Sequence, residues 1–108
     1  MGKGPAGNMN QMLKQAQQMQ DKITTLQADL EQREFSASVG GGAVDITING
    51  KREVLSLNIK PEVVDPEDVE MLQDLIMSAF NEAVHNLDEV SDAEMSQLTG
   101  GVSFPGLF

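Results

Sequence analysis

Apolar residues recur at Met9, Met12, Ala16, Met19, Ile23, Leu26 and Leu30, in alternating steps of three and four. This heptad spacing predicts one helix from Met9 to about Arg33, with an apolar line built to meet another helix. The line holds three methionines and an alanine where a stable coiled coil favours Leu, Ile or Val, so it packs without strongly specifying its partner. At ~1.5 Å per residue such a helix is roughly 38 Å long, more than a small sheet covers. Part of the line is left for another surface, most simply a second copy of the chain. Met12, Met19, Ile23 and Leu26 are the expected dimer contacts.

Before this helix, Gly2, Gly4, Pro5 and Gly7 mark residues 1–8 as a flexible arm, with Asn8 as the helix N-cap. After it, Phe35, Ala37 and Val39 alternate with Ser36 and Ser38, the pattern of a strand with one buried face. Gly40-Gly41-Gly42 then reverses the chain, because glycine adopts the positive φ angles of a tight turn. A phosphate cradle is disfavoured there, since strands flank the glycines on both sides. A second strand over Ala43–Ile48 and a third over Glu53–Ile59 carry the triplets Val44, Ile46, Ile48 and Leu55, Leu57, Ile59. Asn49-Gly50 between them signals a hairpin. A two-residue loop sets Val44 opposite Leu55 and a four-residue loop sets Ile46 there. Both keep the two triplets on one face.

Pro61 ends the third strand, and Asp65-Pro66-Glu67-Asp68 opens a second long helix with Asp65 as N-cap and Pro66 in its first turn. Capping accounts for these carboxylates without a metal. The helix buries Val69, Leu72, Leu75, Ile76, Ala79, Phe80, Ala83, Val84 and Leu87, a stripe wide enough to lie on a sheet. Ser91 and Glu94 have capping-box spacing, which predicts a break near residue 91 and a short third helix to Leu98. Gly100-Gly101 stops it, and residues 100–108 form a flexible tail with two phenylalanines. The expectation is a single α+β domain over residues 9–99: helix, three-stranded antiparallel sheet, helix.

Charge divides the chain. All seven basic residues and seven acids lie in residues 1–64, whereas residues 65–108 hold ten acids and no Lys or Arg, for a net charge of −10. An anionic partner approaches through the first half. There is no cysteine, no apolar run long enough to span a bilayer and no secretory leader pattern, which points to a soluble cytoplasmic protein. The single histidine, His85, sits between Val84 and Asn86, and no nucleophile elbow or metal-ligand spacing occurs. No enzyme, cofactor, metal or small-molecule substrate is expected.

The run from Met12 to Gln20, the Gly40-Gly41-Gly42 loop followed by Val44-Asp45-Ile46-Thr47-Ile48-Asn49-Gly50, and Asp65-Pro66-Glu67-Asp68 through Ile76 with Ala79-Phe80-Asn81 resemble the YbaB/EbfC family of bacterial nucleoid-associated proteins. Leu98-Thr99-Gly100-Gly101 and the Pro-Gly tail also fit. The resemblance implies a homodimer with helices projecting like tweezer arms from a joined sheet, which binds duplex DNA in the nucleoid. Some family members carry Arg or Lys late in the second helix, where this chain reads Ala83-Val84-His85-Asn86-Leu87-Asp88-Glu89-Val90. DNA contacts are therefore expected from Lys3, Lys14, Lys22, Arg33, Lys51 and Arg52, with Gln15 and Gln18 among the amides able to bond phosphates or bases. Binding of that kind is non-specific and salt-sensitive. The competing expectation is an acidic dimeric module that engages replication or repair proteins and binds little DNA itself. Dispersed lysines shielded by acidic helices would favour it.

Overall fold

Two helices of thirty residues bracket a three-stranded sheet: α1 (Lys3–Gln32), β1 (Glu34–Val39), β2 (Val44–Asn49), β3 (Val54–Ile59) and α2 (Val69–Leu98), with a 3-10 turn at Pro61–Val63. The computed structural model describes residues 3–100, and their side chains from Met9 onward. The tail expected beyond Gly100 lies outside the described residues.

α1 begins earlier than its periodicity suggests, at Lys3, so Asn8 lies within the helix instead of capping it. Pro5 does not prevent this. In the first turn an N–H has no helical acceptor, so its loss costs nothing.

The sheet is antiparallel with β2 in the centre. The three glycines turn β1 into β2, all with φ between +63° and +91°, and Val39 pairs with Val44. The second hairpin follows neither expected register. Val44 faces Ile59 and Ile46 faces Leu57, with a bulge between Thr47 and Ile48 that brings Val54 opposite Ile48. A three-residue loop explains the shift: the Asn49 N–H donates to the Glu53 carbonyl at 3.0 Å, and the Arg52 N–H donates to the Asn49 carbonyl at 3.0 Å. Arg52 takes the left-handed position of this loop type at φ +66°. Asn49 also uses its side chain, accepting from the Lys51 and Glu53 N–H groups at 2.8 and 3.1 Å.

Leu30, Phe35, Val44, Ile46, Ile48, Ala79, Ala83 and Leu87 form the core. Ala79 and Ala83 are fully buried, and their small side chains let α2 lie close on β1 and β2. A helix about 10 Å across covers roughly two strands spaced ~4.8 Å apart. β3 is consequently left largely uncovered: Val54, Leu55 and Leu57 are 50%, 51% and 41% exposed, and of the expected triplet Leu55, Leu57 and Ile59 only Ile59 packs against the core. Val69 is exposed as well, at the very start of α2.

The cap of α2 is Asp68, not Asp65; its side chain accepts from the Met71 N–H at 3.2 Å. Asp65 and Pro66 instead form the preceding turn, in which the Asp65 carbonyl accepts from the Asp68 N–H at 3.0 Å. Proline with its fixed φ suits the second position of such a turn. Beyond it, α2 runs unbroken through Ser91. No Gly or Pro interrupts it, and Glu94, the presumed box partner of Ser91, is engaged by Arg33. Having left the sheet, α2 lays its last turns antiparallel against α1, where Ile23, Met95 and Thr99 are buried. The outcome is an elongated protomer, 82 × 20 × 18 Å, from which the first half of α1 projects.

Candidate nucleic-acid interface

The cations expected to bind DNA come from α1, the α1–β1 junction and the β2–β3 hairpin tip, and those whose side chains are described do not form one cluster. Lys14 and Lys22 are exposed on α1. With Gln18 they form a single i, i+4 row, so the two amines stand about 12 Å apart along the helix with an amide between them. Gln15 is exposed beside that row. Lys3 opens the same helix, and its backbone position lies within about 20° of Lys14 around the axis. From residue 3 to residue 20 the helix contains no Asp or Glu. The projecting half is therefore cationic and amide-rich, and the acids begin where α1 returns to the body of the protein.

Arg33 and Arg52 are committed within the protomer. At the α1–β1 junction, the Arg33 guanidinium donates to both oxygens of Glu94, on α2, and to Asp29, one turn back on α1. The Arg33 bond holds the Glu94 carboxyl below its ordinary range, and the two carboxylates raise the arginine further above its own. Arg52, at the hairpin tip, donates to Asp88 of α2 at 2.8 Å. Both arginines serve as ties between α1 or the hairpin and α2, and their charge is matched by the chain's own carboxylates. Lys51 is exposed at the same tip. Among the described residues Lys14, Lys22, Lys51 and Lys60 have no carboxylate within ion-pair distance.

The hairpin tip also fixes the base of the projecting helix. A Cβ on Gly50 would fall 1.9 Å from the Leu30 carbonyl oxygen and 2.8 Å from the Glu31 Cα, so backbone meets backbone there. Glycine is needed at this position for space.

Of the expected dimer contacts, Ile23 is 2% exposed within one protomer and Leu26 packs against the core, so α2 of the same chain already covers them. Met12 stays exposed and Met19 is half-buried. A second open apolar surface is a groove of about 330 Å³ lined by Ile46, Val54, Leu57, Ile76, Met77 and Phe80. Alternation in β3 led to Leu57 being placed in the core. The width of one helix against three strands is the signal that distinguishes the two cases.

His85 is exposed beside Glu89, 3.1 Å away. Among the described residues no group of three His, Cys, Asp or Glu is arranged to hold a metal, and no helix is long and apolar enough to cross a membrane.

The sequence profile of the YbaB/EbfC DNA-binding family matches residues 5–102. The chain belongs to this family. It is 57% identical over 107 residues to a nucleoid-associated protein of Alkaliphilus metalliredigens, covering 99% of this chain and 94% of that one. A nucleoid-associated protein of Clostridium acetobutylicum is 55% identical, covering 94% of this chain and 90% of its own. An uncharacterized protein of Helicobacter pylori, solved by crystallography, has the same fold with a TM-score of 0.71, at 24% identity, covering 84% of this chain and 96% of that one. In this member of the YbaB/EbfC family the helix that projects also carries two of the described lysines that have no carboxylate partner, Lys14 and Lys22.

Proposed function

We propose that the protein is a nucleoid-associated, non-enzymatic DNA-binding homodimer whose α1 arms contact duplex DNA through phosphates. The observation that carries this reading is the charge of the projecting half of α1, which has lysines and amides but no acid, while the ten acids of residues 65–108 lie downstream. Lys14 and Lys22 contact phosphates, with Lys3 further along the same arm, and Gln15 and Gln18 add hydrogen bonds. Arg33 and Arg52 hold the arm in place instead. Contacts of this kind position the duplex without reading its bases. The nucleoid location follows the names of its relatives.

Two copies join along β3. It is an edge strand with free backbone groups on its outer side and half-exposed Val54, Leu55 and Leu57, next to Met77 at 55% exposure. Such an edge is a liability unless something pairs with it or covers it. A two-fold axis beside β3 brings the same patch of each copy together, since an isologous interface is self-complementary.

Fluorescence anisotropy of a labelled mixed-sequence duplex, titrated at several salt concentrations, tests the DNA reading. Log affinity should fall linearly with log salt, with a slope of about −0.9 per phosphate engaged. Lys14→Glu with Lys22→Glu should weaken binding and flatten that slope. An unchanged slope in an intact dimer refutes the assignment of these lysines. Absence of binding even at low salt would favour the acidic, partner-binding alternative.

A further inference from the structure

The apolar line of α1 is covered along only part of its length. Leu30, Leu26 and Ile23 lie where α2 runs alongside, and α2 ends at Leu98, which shares a groove with Asp21, Lys22, Thr25 and Leu26. Toward the amino end the same line continues as Met19, Ala16, Met12 and Met9. No described element lies over it there, and Met9, Met12 and the neighbouring Leu13 are 64%, 66% and 59% exposed. The strip thus extends an existing antiparallel helix contact, beginning where α2 stops.

We infer that this strip pairs with the same strip of a second copy, the two α1 helices running antiparallel about a two-fold axis at residue 14. The spacing from Met9 through Met12 and Ala16 to Met19 is three, four and three residues, which reads alike in both directions. An inverted copy therefore sets Met9 against Met19 and Met12 against Ala16, and the small alanine makes room for the long methionine across from it. A parallel copy would set Ala16 against Ala16 and carry its own α1 into the space that α2 fills beyond Met19. The antiparallel arm comes from the other end, and its amino end arrives at the end of α2.

Charge favours a like partner. The residues that flank such a seam select its partner by their charges, and here they are Leu13, Gln15 and Gln20. A charged helix finds no ion pair there, and a second copy meets no repulsion. Lys14 lies on the opposite side of α1, more than about 150° around the axis from the centre of the strip, so pairing leaves the lysine row open. Residues 9–19 supply fewer than the ~20–30 residues a side of a stable interface, and the contact holds only where copies are kept close together. It is independent of DNA binding and distinct from the contact along β3, because its axis lies about 24 Å along α1 from Leu30 at the hairpin tip. Where the proposed β3 contact makes dimers, this second isologous contact joins dimer to dimer; that last step alone rests on the β3 reading.

The chain has no cysteine, so introduced cysteines report on the pairing alone. Full-length Met12→Cys and Ala16→Cys, mixed at high concentration in a glutathione redox buffer, should form a disulfide between the two variants, read by non-reducing electrophoresis and peptide mass spectrometry. Met12→Cys alone, four residues out of register with its own copy, should stay reduced, as should Met12→Cys mixed with Gln17→Cys, whose site faces away from the strip. Adding Leu13→Glu to both partners, which sets two carboxylates beside the axis, should abolish the disulfide. The disulfide should still form when both partners also carry Leu57→Asp, so a failure of the β3 contact is read separately. No disulfide, equal yield with Gln17→Cys or with Met12→Cys alone, or a disulfide that survives Leu13→Glu each overturns the inference.

Discussion

Replacing Gly50 with alanine tests whether the hairpin tip is the seat on which α1 rests. The new Cβ would lie 1.9 Å from the Leu30 oxygen, 2.4 Å from the Leu30 carbonyl carbon and 2.8 Å from the Glu31 Cα, against an ordinary contact of 3.4–4 Å. Tip and helix must separate by about 1.5 Å, and all three opposing atoms are backbone, so no side-chain rotation relieves the clash. Overpacking of this kind costs typically 1–3 kcal/mol, and a backbone-on-backbone case belongs at the top of that range. For a domain of this size ~3 kcal/mol lowers Tm by roughly 12 °C. Thermal unfolding followed by circular dichroism at fixed protein concentration, which holds any dimer contribution constant, measures it. Two comparisons separate space from backbone conformation. Gly41→Ala, at φ +65° with nothing within 4 Å of its Cβ, bears only the left-handed penalty of about 1–2 kcal/mol. Gly50→Asn should be as damaging as Gly50→Ala, whereas asparagine is well tolerated where a glycine serves only a positive φ. Gly50→Ala and Gly50→Asn melting within about 3 °C of the parent would refute the reasoning.

Leu57→Asp should convert the proposed dimer into monomers, because it sets a charge into the open apolar groove beside β3; sedimentation velocity of parent and variant reads the change, and a dimer that persists refutes the interface. The Arg33–Glu94 tie should depend on pH. Its carboxylate titrates below the ordinary glutamate value of 4.5, so its stabilisation is complete above that value and is lost as pH falls through the lowered one. Melting temperatures from pH 7 down to 3 should fall less steeply in Glu94→Gln than in the parent. Removing the α2 cap with Asp68→Ala should cost ~1 kcal/mol, about 4 °C in Tm, while Asp65→Ala, which removes only a turn acceptor for the Glu67 N–H, should cost less.

Much of the architecture was legible because each element keeps one period. Heptad spacing in α1, alternation in the strands and a wide stripe in α2 all report burial of one face, and the order of elements followed. Boundaries were harder, since several residues had two competing uses. Asp65 and Asp68 are both good caps, and the proline between them selects the turn for one and the helix for the other. Asn49-Gly50 reads as a two- or four-residue loop because its dominant constraint, the backbone of α1 against Gly50, comes from a segment twenty residues away. The lysines of α1 were visible as exposed cations. That Arg33 and Arg52 are spent on Glu94 and Asp88 was not, because an ion pair between residues 61 apart leaves no local pattern. The open face of β3 was hidden for a similar reason: alternation shows which side of a strand is apolar and says nothing about what lies over it.

The division of α1 into a packed half and a projecting half bears on how the arm forms. A free helix of a dozen residues is marginal in water because its first turn fixes several residues for a single hydrogen bond. Here that nucleus already exists, held from Ile23 to Leu30 against α2. Residues 9–20 need only propagate from it, and apart from Asn10 their composition of Gln, Met, Leu, Lys and Ala favours propagation. The arm thus behaves as a templated helix growing from a rigid stub. Amide hydrogen exchange should show protection declining stepwise from Met19 toward Met9, with no shared cooperative opening. In the proposed reading, the distance over which α1 holds a duplex is then set by how far that templating extends.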